Sequence, residues 1–264
     1  MLVDLHLHSV CSDGILKPQE IIDLSRLKER KIISITDHNS IDAYKNKLIY
    51  PKDIHVITGI EIDSTIMDDE VHVLGYNFDI NNKLLNKMIA NIQKSKIMAT
   101  KKLISYLTIH HINIDYRKLI LNNNNITYDY LCGLIIEYSN YKTIQEINDE
   151  LFMKNDICVQ YPPIDEIVFV LKQAGGFSIL AHPIRLNKNE KKSLKSINKA
   201  LELGIQGLEC FYPLNNKNFT RHCIDLCKKN NLYITGGSDS HSFYFNFNVK
   251  YEQLNLPVFT GDNI

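Results

Sequence analysis

MLVDLHLH (residues 1–8), IISITDH (32–38) and GFSILAH (176–182) share one layout: a short apolar run of strand length that closes on a histidine. Runs of this length, bounded by polar or glycine-containing segments, fit buried strands. Working outward, the same pattern recurs in IHVITGIEI (54–62), EVHVLGY (70–76), GLECFY (207–212) and LYITGGSD (232–239). Amphipathic stretches separate them. After the first run, Lys17-Pro18-Gln19-Glu20 opens a helix with proline in its first turn, and Ile21, Ile22, Leu24 and Leu27 give it one apolar face. Similar helices fit Ile164 to Ala174 and Lys191 to Leu203, each followed by a glycine where the helix would stop. This βα alternation predicts an α/β fold with a mostly parallel sheet or barrel.

Residues 80–160 break the rhythm with helical patterns from Lys83 to Leu107 and from Tyr128 to Leu151, around the polar run Asn122 to Asn125. They are expected to form a helical insert, leaving 1–79 and 161–264 as the barrel. From Asn81 to Ile120 the insert carries eight Lys or Arg against the single Asp115. That fits a solvated helix face or an approach surface for an anionic substrate.

With 264 residues, 44% hydrophobic and 23% charged, the chain is long enough for a sizeable core, which excludes a disordered or fibrous class. Lys and Arg number 30, as do Asp and Glu, so no whole-chain field marks a general nucleic-acid or membrane-surface binder. Any anion site must be local. No apolar stretch reaches the ~20 residues of a membrane helix. The start MLVDLHLHS lacks the basic segment of a secretory signal, which predicts a cytoplasmic protein. Six cysteines without a CxxC pair suit reduced thiols better than a disulfide framework.

The chemistry sits at the ends of the runs. His6 and His8 are i, i+2 and so share one face of a strand, and Asp13 follows in the turn-forming Ser12-Asp13-Gly14. Then come Thr36-Asp37-His38, Gly59-Ile60-Glu61, His72, Ala181-His182-Pro183 and Gly237-Ser238-Asp239-Ser240-His241. One histidine in an apolar run is usually a core histidine bonded to a backbone carbonyl. Nine ionisable residues at strand ends are different, because buried carboxylates close to one another are expensive to desolvate unless cations partner them. In a parallel barrel the carboxyl ends of the strands converge at one mouth. Six imidazoles and three carboxylates suit two or three divalent ions with Glu61 as a bridge, and donors of nitrogen and oxygen alone fit manganese, zinc or iron. Such sites serve hydrolysis by a hydroxide held on the ions, with phosphate esters the expected substrates. Arg185 and Lys17 are the candidate phosphate-binding cations.

The ordered set from Asp4-Leu5-His6-Leu7-His8-Ser9 and Ser12-Asp13-Gly14 to Gly237-Ser238-Asp239-Ser240-His241 resembles the polymerase and histidinol phosphatase (PHP) family. The resemblance implies a distorted (β/α)7 barrel with a trinuclear site. His6, His8, Glu61 and Asp239 would hold one ion, Glu61, His72 and His182 a second, and Asp13, His38 and His241 the third. This makes Glu61, Asp13 and His241 the residues expected to carry catalysis. Within the family, the order TDHN, HVLGY, insert, LAHP and GSDSH is similar to the stand-alone phosphoesterases that include 3′,5′-nucleoside bisphosphate phosphatase and a 5′ to 3′ exoribonuclease. That implies a small phosphorylated nucleotide or a short RNA end as partner, with no membrane or protein partner. One segment departs: Ile126 to Leu131 stand where many relatives carry Gly-Arg-Pro-His. Two alternatives stay open, a histidinol-phosphate-type or general phosphatase and a non-catalytic metal-binding module.

Overall fold

The computed structural model describes residues 1–45, 47–66, 69–112, 114, 128–186, 190–243 and 247–257. The chain divides into two units, Met1–Lys87 with Pro162–Ile264, and Met88–Tyr161. In the first, strands β1 (Leu2–Leu7), β2 (Arg30–Ile35), β3 (His55–Ile66), β4 (Asp69–Tyr76), β5 (Phe177–Leu180), β6 (Gly207–Phe211), β7 (Tyr233–Gly236) and the short β8 (Val249–Lys250) form one sheet. Its order is β7-β6-β5-β4-β3-β2-β1-β8. Each of the seven expected runs is a strand.

The pairings β1–β2, β2–β3, β5–β6 and β6–β7 are parallel, whereas β4 runs antiparallel to both β3 and β5. This reversal distorts the simple βα alternation. It has a consequence for the site, since the start of β4 and the end of β3 lie at the same mouth, and His72 pairs in register with Asp63. The segment after β7 closes the barrel against β1: Leu7 and Ser240 form a parallel bridge, and the His8 N–H donates to the Ser240 carbonyl at 3.0 Å. Gly237 permits that approach, because a Cβ there would lie 2.3 Å from the His6 Cβ.

Helices α1 (Pro18–Leu27), α2 (Asp42–Lys45), α6 (Ile164–Gln173), α7 (Glu190–Glu202) and α8 (Lys217–Asn230) belong to the same unit. The turns after α6 and α7 use Gly175 at φ 81° and Gly204 at φ 96°, the left-handed conformation that glycine takes without strain. Two buried clusters flank the sheet strands. One gathers Leu7, Ile21, Ile22, Ile33, Ile35 and Val56, and the other Val3, Leu5, Ile57, Leu74, Tyr76 and Ile179.

The second unit contains most of α3 (Lys83–Ile109), then α4 (Tyr128–Tyr138) and α5 (Ile144–Glu146), which continues as a π-helical turn to Met153. Its core is Leu103, Leu107, Cys132, Ile135, Ile147 and Leu151. The helix expected from Tyr128 to Leu151 is broken at 139–143, where Thr143 and Glu146 form a reciprocal capping box that starts α5. The polar run 122–125 and residues Ile126 and Thr127 lie outside the described residues. All six cysteines are free thiols. Among the described residues no helix is long and apolar enough to cross a membrane.

Candidate metal centre

The loop after β1 shows how local sequence builds the site. The Ser9 carbonyl accepts the N–H groups of Ser12 and Gly14, both at 3.0 Å, and this folds residues 9–14 back over the strand end. Gly14 is required there, since a Cβ would meet the His8 carbonyl oxygen at 2.2 Å. Asp37, one residue before His38, clamps the loop from β2 by accepting from the Ser9 N–H (2.7 Å), Ser9 Oγ (2.6 Å) and Ser12 Oγ (2.6 Å). Asp13 is thereby presented to His241, with Oδ2 3.1 Å from His241 Nε2. The remaining residues come from strand ends. His8, His38, His182, Asp239 and His241 lie just beyond β1, β2, β5 and β7, while Glu61 and His72 are inside β3 and β4. His182 (φ 24°) and Asp239 (φ 54°) occupy the left-handed region, a strained backbone of the kind that functional sites retain.

The nine expected residues come together. Glu61 is fully buried, and five imidazole nitrogens surround its carboxylate: Nε2 of His6 and His8 at 3.2 Å and of His38 at 3.3 Å on Oε2, with His72 Nδ1 at 2.9 Å and His182 Nε2 at 3.0 Å on Oε1. Four groups could each hold an ion: His6, His8, Glu61 and Asp239; Glu61, His72 and His182; His8, Asp13, His38 and His241; and His38, Asp63 and His72. Compared with the expected sets, His8 joins the Asp13 group, and Asp63 enters as an additional carboxylate.

The donors fit divalent cations. In the first group, the N···O separations are 3.2 and 3.4 Å from His6 Nε2 and 3.2 and 3.1 Å from His8 Nε2 to Glu61 and Asp239. Four ligands placed tetrahedrally at 2.0–2.1 Å from one ion stand ~3.3 Å apart, which is this spacing. A carboxylate also has about four lone-pair sites, too few to accept from five imidazoles. Several rings are held from behind so that the other nitrogen faces the cluster: His6 Nδ1 by Glu209 Oε1 at 2.9 Å, His38 Nδ1 by Asp63 Oδ1 at 2.9 Å, and His241 Nδ1 by the Asp239 carbonyl at 3.0 Å. Carboxylates and carbonyls behind ligating histidines set their tautomer and orientation.

Without ions, the imidazoles supply the positive charge. Burial opposes charge on Glu61, but His38, His6 and His72 outweigh it and hold the carboxyl well below the usual range; Asp13 and Asp239 are lowered in the same way by neighbouring histidines. Burial likewise opposes protonation of His8, and hydrogen bonds to Asp239 and Glu61 overcome it, raising the ring to about 10. Desolvation dominates at His182, whose pKa is lowered. Charge is thus tightly coupled across the cluster.

Exposure has a direction. The side chains of His6, His8 and Glu61 are 0% exposed, whereas Asp13 is 21% and His241 35% exposed. Arg185 lies at this open rim, its Nη1 3.0 Å from Asp239 Oδ2, where the Tyr212 hydroxyl also donates at 3.1 Å. Lys17 is the exposed N-cap residue of α1, and among the described residues it forms no ion pair with the cluster. Sequence reading missed Glu209, Asp63 and Tyr212. A buried glutamate within the apolar run GLECFY, and Asp63 placed i+2 from Glu61 on the same strand face, were the available signals.

A nearly closed α/β barrel with imidazoles and carboxylates gathered at its mouth defines a metal-dependent hydrolase. More narrowly, this chain belongs to the PHP domain family, whose pattern matches residues 4–210. It is 26% identical over 251 residues to a 5′-3′ exoribonuclease of Haemophilus influenzae, covering 90% of this chain and 89% of that one. It is also 23% identical over 255 residues to a phosphoribosyl 1,2-cyclic phosphate 1,2-diphosphodiesterase of Eggerthella lenta, with coverages of 91% and 94%. To a 3′,5′-nucleoside bisphosphate phosphatase of Chromobacterium violaceum it is 20% identical over 248 residues, with coverages of 91% and 87%. In fold it is similar to a protein of Bifidobacterium adolescentis described as a metal-dependent phosphoesterase, with a TM-score of 0.72, 21% identity, and coverage of 95% of this chain and 93% of that one. The protein is a metal-dependent phosphoesterase.

Proposed function

We propose that the cluster holds two to three divalent ions, manganese, zinc or iron, and that the protein hydrolyses phosphomonoesters of nucleotides, either 3′,5′-bisphosphates or the 5′ end of short RNA. The observation that carries the proposal is the buried Glu61 carboxylate with five imidazole nitrogens within 3.3 Å. His6, His8, Glu61 and Asp239 would hold one ion, Glu61, His72 and His182 another, and Asp13, His38 and His241, with His8 adjoining, the third. Bound there, the ions supply water activation near neutral pH and neutralise phosphoryl charge.

The protein's own groups set how substrate meets that chemistry. A phosphate enters from the open rim, past His241, Asp13 and Arg185. Arg185 offers a planar guanidinium, 52% exposed, on the path of the substrate. Burial acts to raise Asp13, but its hydrogen bond with His241 and the nearby imidazoles keep it far below the ordinary carboxylate range. It therefore stays ionised, as a ligand to a cation must be, and does not act as the proton donor. His241, 35% exposed, is the imidazole of the cluster most open to the rim from which substrate enters. A terminal phosphomonoester suits the site because it brings three non-bridging oxygens. Names of the relatives support phosphate-ester substrates built on ribose or RNA.

The test is kcat/KM with added manganese for a 3′,5′-bisphosphorylated nucleoside, the matching monophosphate, a 5′-phosphorylated oligoribonucleotide, a cyclic phosphodiester and histidinol phosphate. The bisphosphate or the RNA end should lead, with the margin over the monophosphate narrowing in Arg185→Ala and at higher salt. A preference for the cyclic diester or for histidinol phosphate would overturn the proposed substrate class.

A further inference from the structure

Glu209 belongs to none of the ligand groups, yet it touches residues of two. It is fully buried in β6. Its Oε1 lies 2.9 Å from His6 Nδ1, and its Oε2 accepts the backbone N–H of His182 at 2.7 Å. We infer that Glu209 is a positioning residue that sets His6 and His182 as ligands on either side of Glu61; this rests on the metal reading above.

The two contacts do different work. An imidazole offers a lone pair to an ion on one nitrogen only when the proton sits on the other. By accepting from Nδ1, Glu209 fixes the proton there and leaves Nε2 facing Glu61 and Asp239, at 3.2 and 3.4 Å. His182 has no such support for its ring: among the described residues its buried Nδ1 has no hydrogen-bond partner. Its placement depends on the backbone, which lies in the left-handed region at φ 24°. The Glu209 Oε2 contact holds that backbone. His38 and His241 are held from their own Nδ1 by Asp63 and by the Asp239 carbonyl, so they do not rely on Glu209.

Both contacts need an acceptor, and a carboxylate has two where an amide has one. In Glu209→Gln the amide NH2 must face either the His182 N–H or His6 Nδ1. The first choice releases the strained turn, and the second favours the tautomer with its proton on Nε2, pointing at the ligand site. Either way, the groups that contain His6 or His182 are damaged, and the group of Asp13, His38 and His241 is spared.

The experiment titrates the metal-free full chain with Mn²⁺ and with Zn²⁺ against a competing chelator. It compares the natural protein, Glu209→Gln, Glu209→Asp and His241→Ala, the last of which identifies the step due to the Asp13 group. In Glu209→Gln at least one of the other steps should weaken by roughly 10–100-fold while the Asp13 step is unchanged. Glu209→Asp, which keeps both acceptors, should recover part of the loss. Nitrogen-15 shifts of His6 in the Zn²⁺-loaded protein should report a proton on Nδ1 and an ion on Nε2 in the natural chain, and the loss of that pattern in Glu209→Gln. Unchanged affinities, equal weakening of every step, or no difference between Gln and Asp would overturn the inference and leave the metal reading standing. Failure of the natural chain to take up any ion would overturn both.

Discussion

Glu61→Gln removes one negative charge and one acceptor oxygen while keeping the side-chain volume, in a place that solvent does not reach. The carboxylate lies in two ligand groups, with Oε2 at 3.2 Å from His6 and His8 and Oε1 at 2.9 and 3.0 Å from His72 and His182. The amide turns a nitrogen toward one of them, which loses its oxygen donor, and the other keeps only a neutral one. Breaking a buried charge pair by removing one partner costs about 3–5 kcal/mol. At ~1.4 kcal/mol per tenfold, that is a weakening of roughly 10²–10⁴ in affinity for an ion that depends on Glu61. His72→Ala disturbs only groups at the β4 side, so its effect should be smaller. The assay is metal content after equilibration with a competing chelator, with kcat/KM for a nucleotide monoester measured on the same samples. Metal content and kcat/KM within about twofold of the natural chain would refute the bridging role.

Other changes probe separate parts. His241→Ala should lose one ion while the groups around His6 and His182 stay loaded, since His241 enters only the group with Asp13; elemental analysis would show the difference. Gly237→Ala should lower stability by about 1–3 kcal/mol in urea unfolding, because its Cβ would press on the His6 Cβ and backbone nitrogen at 2.3 and 2.5 Å. For the metal-free protein, His6, His8 and His72 have raised folded pKa values, His8 reaching about 10. Their stabilisation is therefore complete below the unfolded value of ~6.5 and is lost as pH rises through the folded values. Glu61, Asp13 and Asp239 are lowered, so theirs is present above about pH 4 and is lost in acid. The Tm of the metal-free chain should peak in weak acid and fall toward alkaline pH, and added manganese should raise the alkaline side most, as ions bind deprotonated imidazoles. A metal-free Tm that climbs from neutral to alkaline pH would contradict this.

The strands were legible because runs such as IISITDH and GFSILAH are too apolar and too short for anything but buried strands, and the helices after Lys17 and Pro163 announce themselves by proline at their starts. Strand direction was not legible. An apolar run reads alike both ways, so the reversal of β4 and the arrival of His72 at the mouth appear only in three dimensions. Helix α8 was overlooked, although Asn216 caps it and Phe219, Cys223 and Cys227 recur at four-residue spacing. At the site, residue type was enough to nominate nine side chains that the fold brings together. The carboxylates behind them, Glu209, Asp63 and Asp37, carry weaker signals: a glutamate inside GLECFY and the i+2 spacing of Asp63 from Glu61 mark a buried acceptor but do not tell it from a ligand. Lys17 drew attention by its closeness in sequence to Asp13, but its place is the start of α1.

The central claim is that the imidazoles and carboxylates around Glu61 hold the ions on which phosphate-ester hydrolysis depends. Elemental analysis of the protein after metal-replete growth, paired with phosphate release before and after chelation, tests it most directly. The account predicts more than one equivalent of a divalent transition metal per chain, activity lost on chelation and restored by manganese or zinc. One equivalent or none, or phosphate release that survives complete removal of metal, would contradict it.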